Sequence, residues 1–238
     1  MFKAVLAFAF FLVAGSMSDV IVVSLPAKGA VSLGMTPSGK ADIERTGTVT
    51  QIHIEIDKVQ PAQKLYPAMN AYVVWAVSPE GSVENVGELG VTDGKGRLDT
   101  ASKFDQVGIL ITAEPHFMVD RPNAVIAFNN QAPKTESIRR KTVAVEVGTY
   151  DYSQVKPDTA GGAGLISQAR AARQIATNAQ ADRLVESEYR LANVALGTVE
   201  EMQTRAAAAD IISAMANESI RRFQRAFIAV RDASTRRP

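Results

Sequence analysis

The stretch Ala71-Tyr72-Val73-Val74-Trp75-Ala76-Val77 runs almost directly into the turn residues Pro79-Glu80-Gly81. Val73, Trp75 and Val77 alternate with Val74 and Ala76, and this period of two predicts a β-strand with at least one buried face. A tryptophan in the middle of such a strand packs between the sheets of a sandwich. We therefore predict that Trp75 is a core residue rather than a platform for a ligand.

The same alternation occurs on both sides of this strand. It appears in Ile52, Ile54 and Ile56 and in Val143, Val145 and Val147, and further strand candidates span residues 20–25, 40–45, 83–89, 97–102, 107–113 and 124–128. Turn residues such as Asp93-Gly94-Lys95-Gly96 separate them about every ten residues, without a long helical pattern in between. This spacing predicts an immunoglobulin-like (Ig-like) antiparallel β-sandwich over residues 19–153 rather than a parallel sheet.

The composition changes near residue 160. Nine of the ten prolines lie at or before Pro157, and Gly197 is the only glycine after Gly164. Residues 154–164 contain Pro157 and three of the glycines, a composition typical of a flexible connector. We therefore predict a linker at 154–164 and a separate helical domain at 165–235, which makes the fold class α+β.

After this boundary the apolar residues recur every three to four positions, which predicts amphipathic helices. The patterns are Ile212, Ala216, Ile220, Phe223, Phe227 and Val230; Leu184, Leu191, Val194, Ala195 and Met202; and, more weakly, Leu165, Ala169, Ala172, Ala176 and Ala179. One continuous helix would extend about 100 Å and leave its apolar stripe in water. We expect the chain to reverse near 179–182 and 205–210, forming a helical hairpin or a three-helix bundle.

The chain begins like an exported protein. Lys3 precedes the apolar run 4–14, which ends in the small residues Ala14, Gly15 and Ser16, and this order predicts a secretory signal at 1–16. The run is shorter than the roughly 20 residues that span a bilayer, which disfavours the alternative of an uncleaved anchor. Residues 12–16 look like a bacterial lipoprotein signal with Ser16 in place of the lipid-accepting cysteine. Because the chain has no cysteine, we expect a periplasmic protein without an acyl anchor or disulfide.

Residues 71–115 carry a resemblance to a known domain. The strand and turn at 71–81, the segment Asn85-Val86-Gly87-Glu88-Leu89, the hairpin at 93–96 and the strand at 104–112 are similar in order to the extracytoplasmic β-domain of membrane-bound anti-sigma factors. The whole chain also resembles uncharacterised bacterial envelope proteins, in which a head opening with a segment like 26–30 precedes an alanine-rich segment like 169–176. The resemblance implies an envelope location and a β-domain. It does not imply anti-sigma activity, which needs a cytoplasmic segment joined through a transmembrane helix.

No pattern of catalytic residues emerges from the sequence. His53 and His116 are the only histidines, and two surface histidines account for them better than a shared metal site. The nucleophile motif Gly-x-Ser-x-Gly does not occur, and Glu55 with Asp57 falls where a solvated strand face is expected. We therefore predict a protein that is not an enzyme and has neither a cofactor nor a metal.

Two kinds of binding surface are candidates. The candidate residues are Tyr72, His116, Arg221, Arg222 and Arg225. The three arginines belong to a basic tip of the last helix. This tip is either a solvated helix end or a surface that contacts membrane or an anionic envelope polymer. A net charge of +1 gives no reason to expect nucleic acid. The leading hypothesis is a structural or adaptor protein of the envelope that binds a protein partner, or itself, through the helices. The alternative is a module that binds a glycan, peptide or small ligand through the loops at 93–96 and 116–122.

Overall fold

The structure is a computed structural model, and it describes residues 20–24, 31–32, 38–130, 140–159 and 164–235. The predicted signal at 1–16, including Ser16, lies outside these residues. Within these residues, the β-domain before residue 160, called the head below, has eleven strands and one short helix. They are β1 (Val20–Ser24), β2 (Val31–Ser32), β3 (Ser38–Thr46), β4 (Val49–Asp57), α1 (Ala62–Leu65), β5 (Ala71–Val77), β6 (Val83–Glu88), β7 (Gly90–Thr92), β8 (Lys95–Ser102), β9 (Gly108–Glu114), β10 (Val125–Asn129) and β11 (Arg140–Ala144).

Two antiparallel sheets of four strands each form most of the head, and β1 pairs with β11 in a separate two-stranded sheet. The first has the order β10-β9-β5-β6, and the short β2 joins it beside β10 in parallel. The second has the order β3-β4-β8-β7. A helical region follows, so the α+β class is confirmed, whereas the Ig-like topology is not. The parallel pairs β2–β10 and β1–β11 also differ from the purely antiparallel arrangement that we predicted.

The burial of each strand follows from its place in the sheet. β4 has a buried face of Ile52, Ile54 and Ile56 and a face exposed to solvent, as its alternation predicts. β5 and β9 are the inner strands of the first sheet, and all seven residues of each are buried. Trp75 is fully buried among them, so its predicted place in the core is confirmed.

The helical region has three long helices and one short one. They are α2 (Leu165–Asn178), α3 (Ala181–Leu184), α4 (Glu186–Thr204) and α5 (Ala209–Thr235). The long helices are interrupted at both places where we expected the chain to reverse. α2 and α4 are antiparallel, because Arg170 near the start of α2 contacts Glu200 near the end of α4, while Thr177 near the end of α2 contacts Tyr189.

Neither reversal uses glycine or proline. Gln180 after α2 and Ala206 after α4 have positive φ angles of 62° and 52°, in the left-handed region. At the end of α4 the Ala206 N–H donates to the Gln203 carbonyl at 3.1 Å and the Ala207 N–H donates to the Met202 carbonyl at 3.0 Å. These two bonds are those of a Schellman motif, in which glycine is the usual left-handed residue.

The helices share a core with the head. Ala171 and Ile175 of α2 belong to the same apolar cluster as Ile52 and Trp75 of the sheets, whereas Ala172 and Ala176 face the other helices. α2 is therefore covered on both sides. The many alanines of α2 fit this position, because small side chains allow both the head and the other helices to approach closely.

The segment predicted as a flexible connector is held in place over its described part. Val155 is buried, and the Lys156 N–H donates to Oε1 of Gln174 in α2 at 2.8 Å. Asp158 accepts a hydrogen bond from Arg170 at 2.9 Å. Residues 154–159 therefore lie against α2 instead of forming a free tether, and residues 160–163 lie outside the described part of the chain.

Candidate functional site

The loop between β9 and β10 lies between the head and the helices. The Phe117 N–H donates to Oε1 of Gln168 in α2 at 2.8 Å, and Nε2 of Gln168 donates to Oε1 of Glu88 at 2.9 Å. From the other side, Nδ2 of Asn85 donates to the carbonyls of Phe117 and Val119, both at 2.8 Å. The loop at 116–122, which we considered as a ligand-binding loop, is therefore used to join the two halves of the chain.

Asp120 in this loop holds the end of α5. Its carboxylate accepts hydrogen bonds from Nη1 of Arg231 at 2.6 Å, from Nε2 of Gln224 at 3.0 Å and from the Tyr150 hydroxyl at 3.1 Å. Phe227 packs edge-on against Tyr150 with their ring centroids 5.0 Å apart. Polar and aromatic contacts therefore fasten the helical region to the head at this point.

Glu114 at the end of β9 is a buried acid. One oxygen, Oε1, accepts hydrogen bonds from the Thr112 hydroxyl at 2.5 Å and the Asn123 N–H at 2.7 Å, and Thr112 also accepts a hydrogen bond from Nε1 of Trp75. The other oxygen has no partner among the described residues. Burial raises the pKa of Glu114 to about 8, so its carboxyl carries a proton at neutral pH.

Two of the proposed surface residues are not at the surface. His116 is fully buried, neither ring nitrogen has a hydrogen-bond partner within the described residues, and burial lowers its pKa to about 4. Tyr72 is 2% exposed, and its hydroxyl donates to the Gln60 carbonyl at 2.8 Å. Neither side chain therefore offers the exposed surface that we expected at these two positions.

The basic tip of α5 is neutralised over its described part. Glu218 pairs with both Arg221 at 2.5 Å and Arg222 at 2.7 Å. Glu188 of α4 lies 3.9 Å from Arg225. Each proposed arginine therefore faces a carboxylate of this chain, and the observed pairs favour a solvated helix end over a surface for polyanions.

The two histidines lie in different parts of the head. His53 is on the solvent-exposed face of β4, where Asp99 is its hydrogen-bond partner and raises its pKa, and Oε1 of Glu55 is 3.7 Å away. His116, in contrast, is enclosed in the loop after β9. Within the described residues, no three His, Cys, Asp or Glu side chains are grouped so that they could hold a metal ion.

The outer face of α4 is where the helical prediction differs most from the structure. We expected Leu184, Leu191 and Val194 to be part of a buried stripe, but their exposed fractions are 54%, 45% and 63%. The buried face of α4 consists of Ala192, Ala195, Leu196 and Val199. α4 thus has a second apolar surface, made by Leu191 and Val194 with Leu184 just ahead of the helix, that the rest of the described chain leaves uncovered.

Gly197 lies next to this surface, one turn after Val194. A methyl group at this position would meet no atom within 4 Å. Glycine in the middle of a helix costs about 1 kcal/mol relative to alanine, and the packing of the described residues gives no reason for it here. We call Leu191, Val194 and Gly197 the α4 outer face, and it is our candidate interaction site.

Comparison of the chain with protein-family models, with curated proteins and with solved structures found no match. Among the helices of the described residues, none combines the length and the apolar character needed to cross a membrane.

Proposed function

We propose that this chain is a non-enzymatic adaptor of the bacterial cell envelope, and that it binds a partner protein through the α4 outer face. The observation that carries the proposal is the exposure of Leu191 and Val194, on a helix whose opposite face is already packed. Burying two such side chains in an interface is favourable by roughly 1.5–3 kcal/mol for each when burial is complete. The binding of a partner protein would bury Leu191 and Val194.

The shape of the surface favours a helical partner. Gly197 leaves a shallow gap beside Val194, and a gap of this kind lets the ridge of a second helix approach closely. The charged residues at the two ends of the surface, Arg190 and Glu201, have opposite signs. We therefore expect an amphipathic helix whose apolar stripe lies on Val194 and whose flanking charges are mixed.

The envelope location rests on the beginning of the sequence. The basic start, the apolar run 4–14 and the small residues before Met17 support export. Fractionation of cells with N-terminal sequencing of the recovered protein tests this part. Recovery in the periplasmic fraction, cleaved near residue 16, is expected; a full-length protein in the cytoplasm would contradict it.

Substitutions in the α4 outer face test the binding part. Val194→Glu should remove a partner recovered with the tagged full-length chain from crosslinked envelopes, while the stability of the purified chain stays within about 0.5 kcal/mol, as expected for an exposed site. Ala214→Glu, at an exposed position of α5, is the matched control and should retain the partner.

Gly197→Ala separates binding from folding. The purified variant should be more stable than the wild type by up to about 1 kcal/mol, because the added methyl group is free of contacts and alanine favours the helix. Its recovery of the partner should nevertheless fall, because the methyl group fills the gap. If Val194→Glu and Gly197→Ala both recover the same proteins as the wild type, the α4 outer face is not the binding site.

A further inference from the structure

The strand β3 forms an open edge of the second sheet. It is nine residues long and pairs with β4 on one side, and none of the described strands pairs with its other side. Residues 39–46 are all exposed. A long edge of this kind presents a row of free N–H and C=O groups, which is a template for another strand.

The core-facing side of this edge is also incompletely covered. Ala41 lies opposite Ile54 and Ile43 lies opposite Ile52 in the sheet, so these residues share the face that is buried in β4. Ile52 is 1% exposed, but Ile43 is 41% exposed. The apolar surface of the sheet therefore continues past the region that the described residues cover, and an added strand would extend that cover.

The solvent-facing side of β3 carries charges that match a second copy of the same strand. Lys40 and Asp42 are 61% and 63% exposed, and Glu44 follows on the same face. If all the charged residues of β3 had the same sign, two copies of the strand would repel each other in every antiparallel register. Consider the register in which Ala41 lies opposite Ala41 of a second copy. Each Lys40 then lies opposite an Asp42 of the other copy, which gives two such pairs. Glu44 lies opposite the uncharged Ser38.

The backbone supports the same register. The β3–β4 hairpin ends on the pair Thr46–Val49, next to the turn. Counting back from this pair, every second residue of β3, including Ala41 and Ile43, directs its N–H and C=O groups away from β4. Two strands related by a two-fold axis at Ala41 bring these free groups together. A shift that places Ile43 on the axis would instead set Asp42 opposite Glu44, which is unfavourable.

From this arrangement we propose that two copies of this chain associate through antiparallel pairing of β3, with the two-fold axis at Ala41, so that their second sheets form one continuous sheet. The surface is separate from the α4 outer face, and it can be present whether or not a partner binds there. Because strand pairing alone gives a small interface, we expect a weak dimer that dissociates on dilution.

Single cysteines test the register, since the chain has none of its own. Ala41→Cys places two thiols opposite each other at the axis, and mild oxidation of the concentrated full-length variant should give a covalent dimer. Glu44→Cys is the control. Residue 44 lies opposite residue 38 of the second copy, so the two thiols are about 20 Å apart at roughly 3.4 Å per residue and should not crosslink. Equal crosslinking of both variants, or none at Ala41→Cys, would overturn the proposal.

Charge exchange tests the pairing in solution. In sedimentation equilibrium, Lys40→Asp should weaken the dimer by about tenfold or more, because both attractive pairs become repulsive. The double variant Lys40→Asp with Asp42→Lys should restore it, since the opposite charges then face each other again. A wild-type chain that stays monomeric over the whole concentration series, or a dimer that Lys40→Asp leaves unchanged, would show that β3 does not pair in this way.

Discussion

Replacing the buried acid Glu114 by glutamine should remove a loss of stability that the wild type suffers as the pH rises. The pKa of Glu114 is about 8 in the native state, against 4.5 for an ordinary glutamate. Below pH 4.5 the Glu114 carboxyl carries its proton in both the native and the unfolded state. Between these two values the unfolded chain releases a proton that the native state retains, so the free energy of unfolding decreases as the pH rises through this range and levels off above pH 8.

The size of the effect follows from the pKa difference. Each pH unit in this interval lowers the free energy of unfolding by 1.36 kcal/mol, so the total at pH 7 is on the order of 3 kcal/mol relative to pH 4.5. Glutamine has the shape of the protonated acid and does not ionise. Its oxygen can still accept from the Thr112 hydroxyl and the Asn123 N–H, which keeps the native contacts of Oε1.

The assay is urea unfolding followed by the fluorescence of Trp75, the single tryptophan, at a series of pH values from about 5 to 8.5. We expect similar stabilities for Glu114→Gln and wild type at the acid end, and a difference in favour of the variant that grows up to pH 8. Glu88→Gln is the comparison, because burial raises the pKa of Glu88 only to about 7 and its difference should stop growing there. Parallel pH profiles for wild type and Glu114→Gln would refute the assignment of a protonated Glu114.

Three further predictions concern the helices, and each is measured by urea unfolding. Ala206→Gly should stabilise the chain by about 0.5–1 kcal/mol, because glycine adopts the positive φ of this position without strain, whereas Ala208→Gly should give no gain. Phe223→Ala should cost about 3–5 kcal/mol because Phe223 is fully buried, while the loss for the half-exposed Leu191→Ala should stay below about 1 kcal/mol. Asp120→Ala should cost about 1–3 kcal/mol, because it removes three hydrogen bonds to the carboxylate, and limited proteolysis should then cut the end of α5 sooner.

Local patterns were enough to predict much of the architecture. β4 was predictable because one of its faces is exposed to solvent and the other is buried, so its isoleucines alternate with polar residues. The reversals near residues 180 and 206 were predictable from the length of the apolar stripe, although Gln180 and Ala206 give no glycine or proline signal. The alternation of β4 lies within the strand itself, whereas the reversals follow from the length of the whole helical stretch.

What the sequence did not reveal depends on contacts between distant parts of the chain. His116 follows Pro115 in a loop, which suggests a surface position, but Gln168, 51 residues away from Phe117, brings α2 over this loop. The correct face of α4 was not predictable because both of its sides are apolar, and periodicity alone cannot tell which side meets the core.

We propose that a partner covers the α4 outer face in the cell. The direct measurement is crosslinking in living cells with a photoreactive amino acid at position 191, 194 or 214 of the full-length chain, followed by mass spectrometry of the adducts. We predict that positions 191 and 194 crosslink to the apolar side of a helix in one envelope protein, and that position 214 does not. Crosslinks of equal yield from all three positions, or none from 191 and 194, would show that no specific partner covers this face.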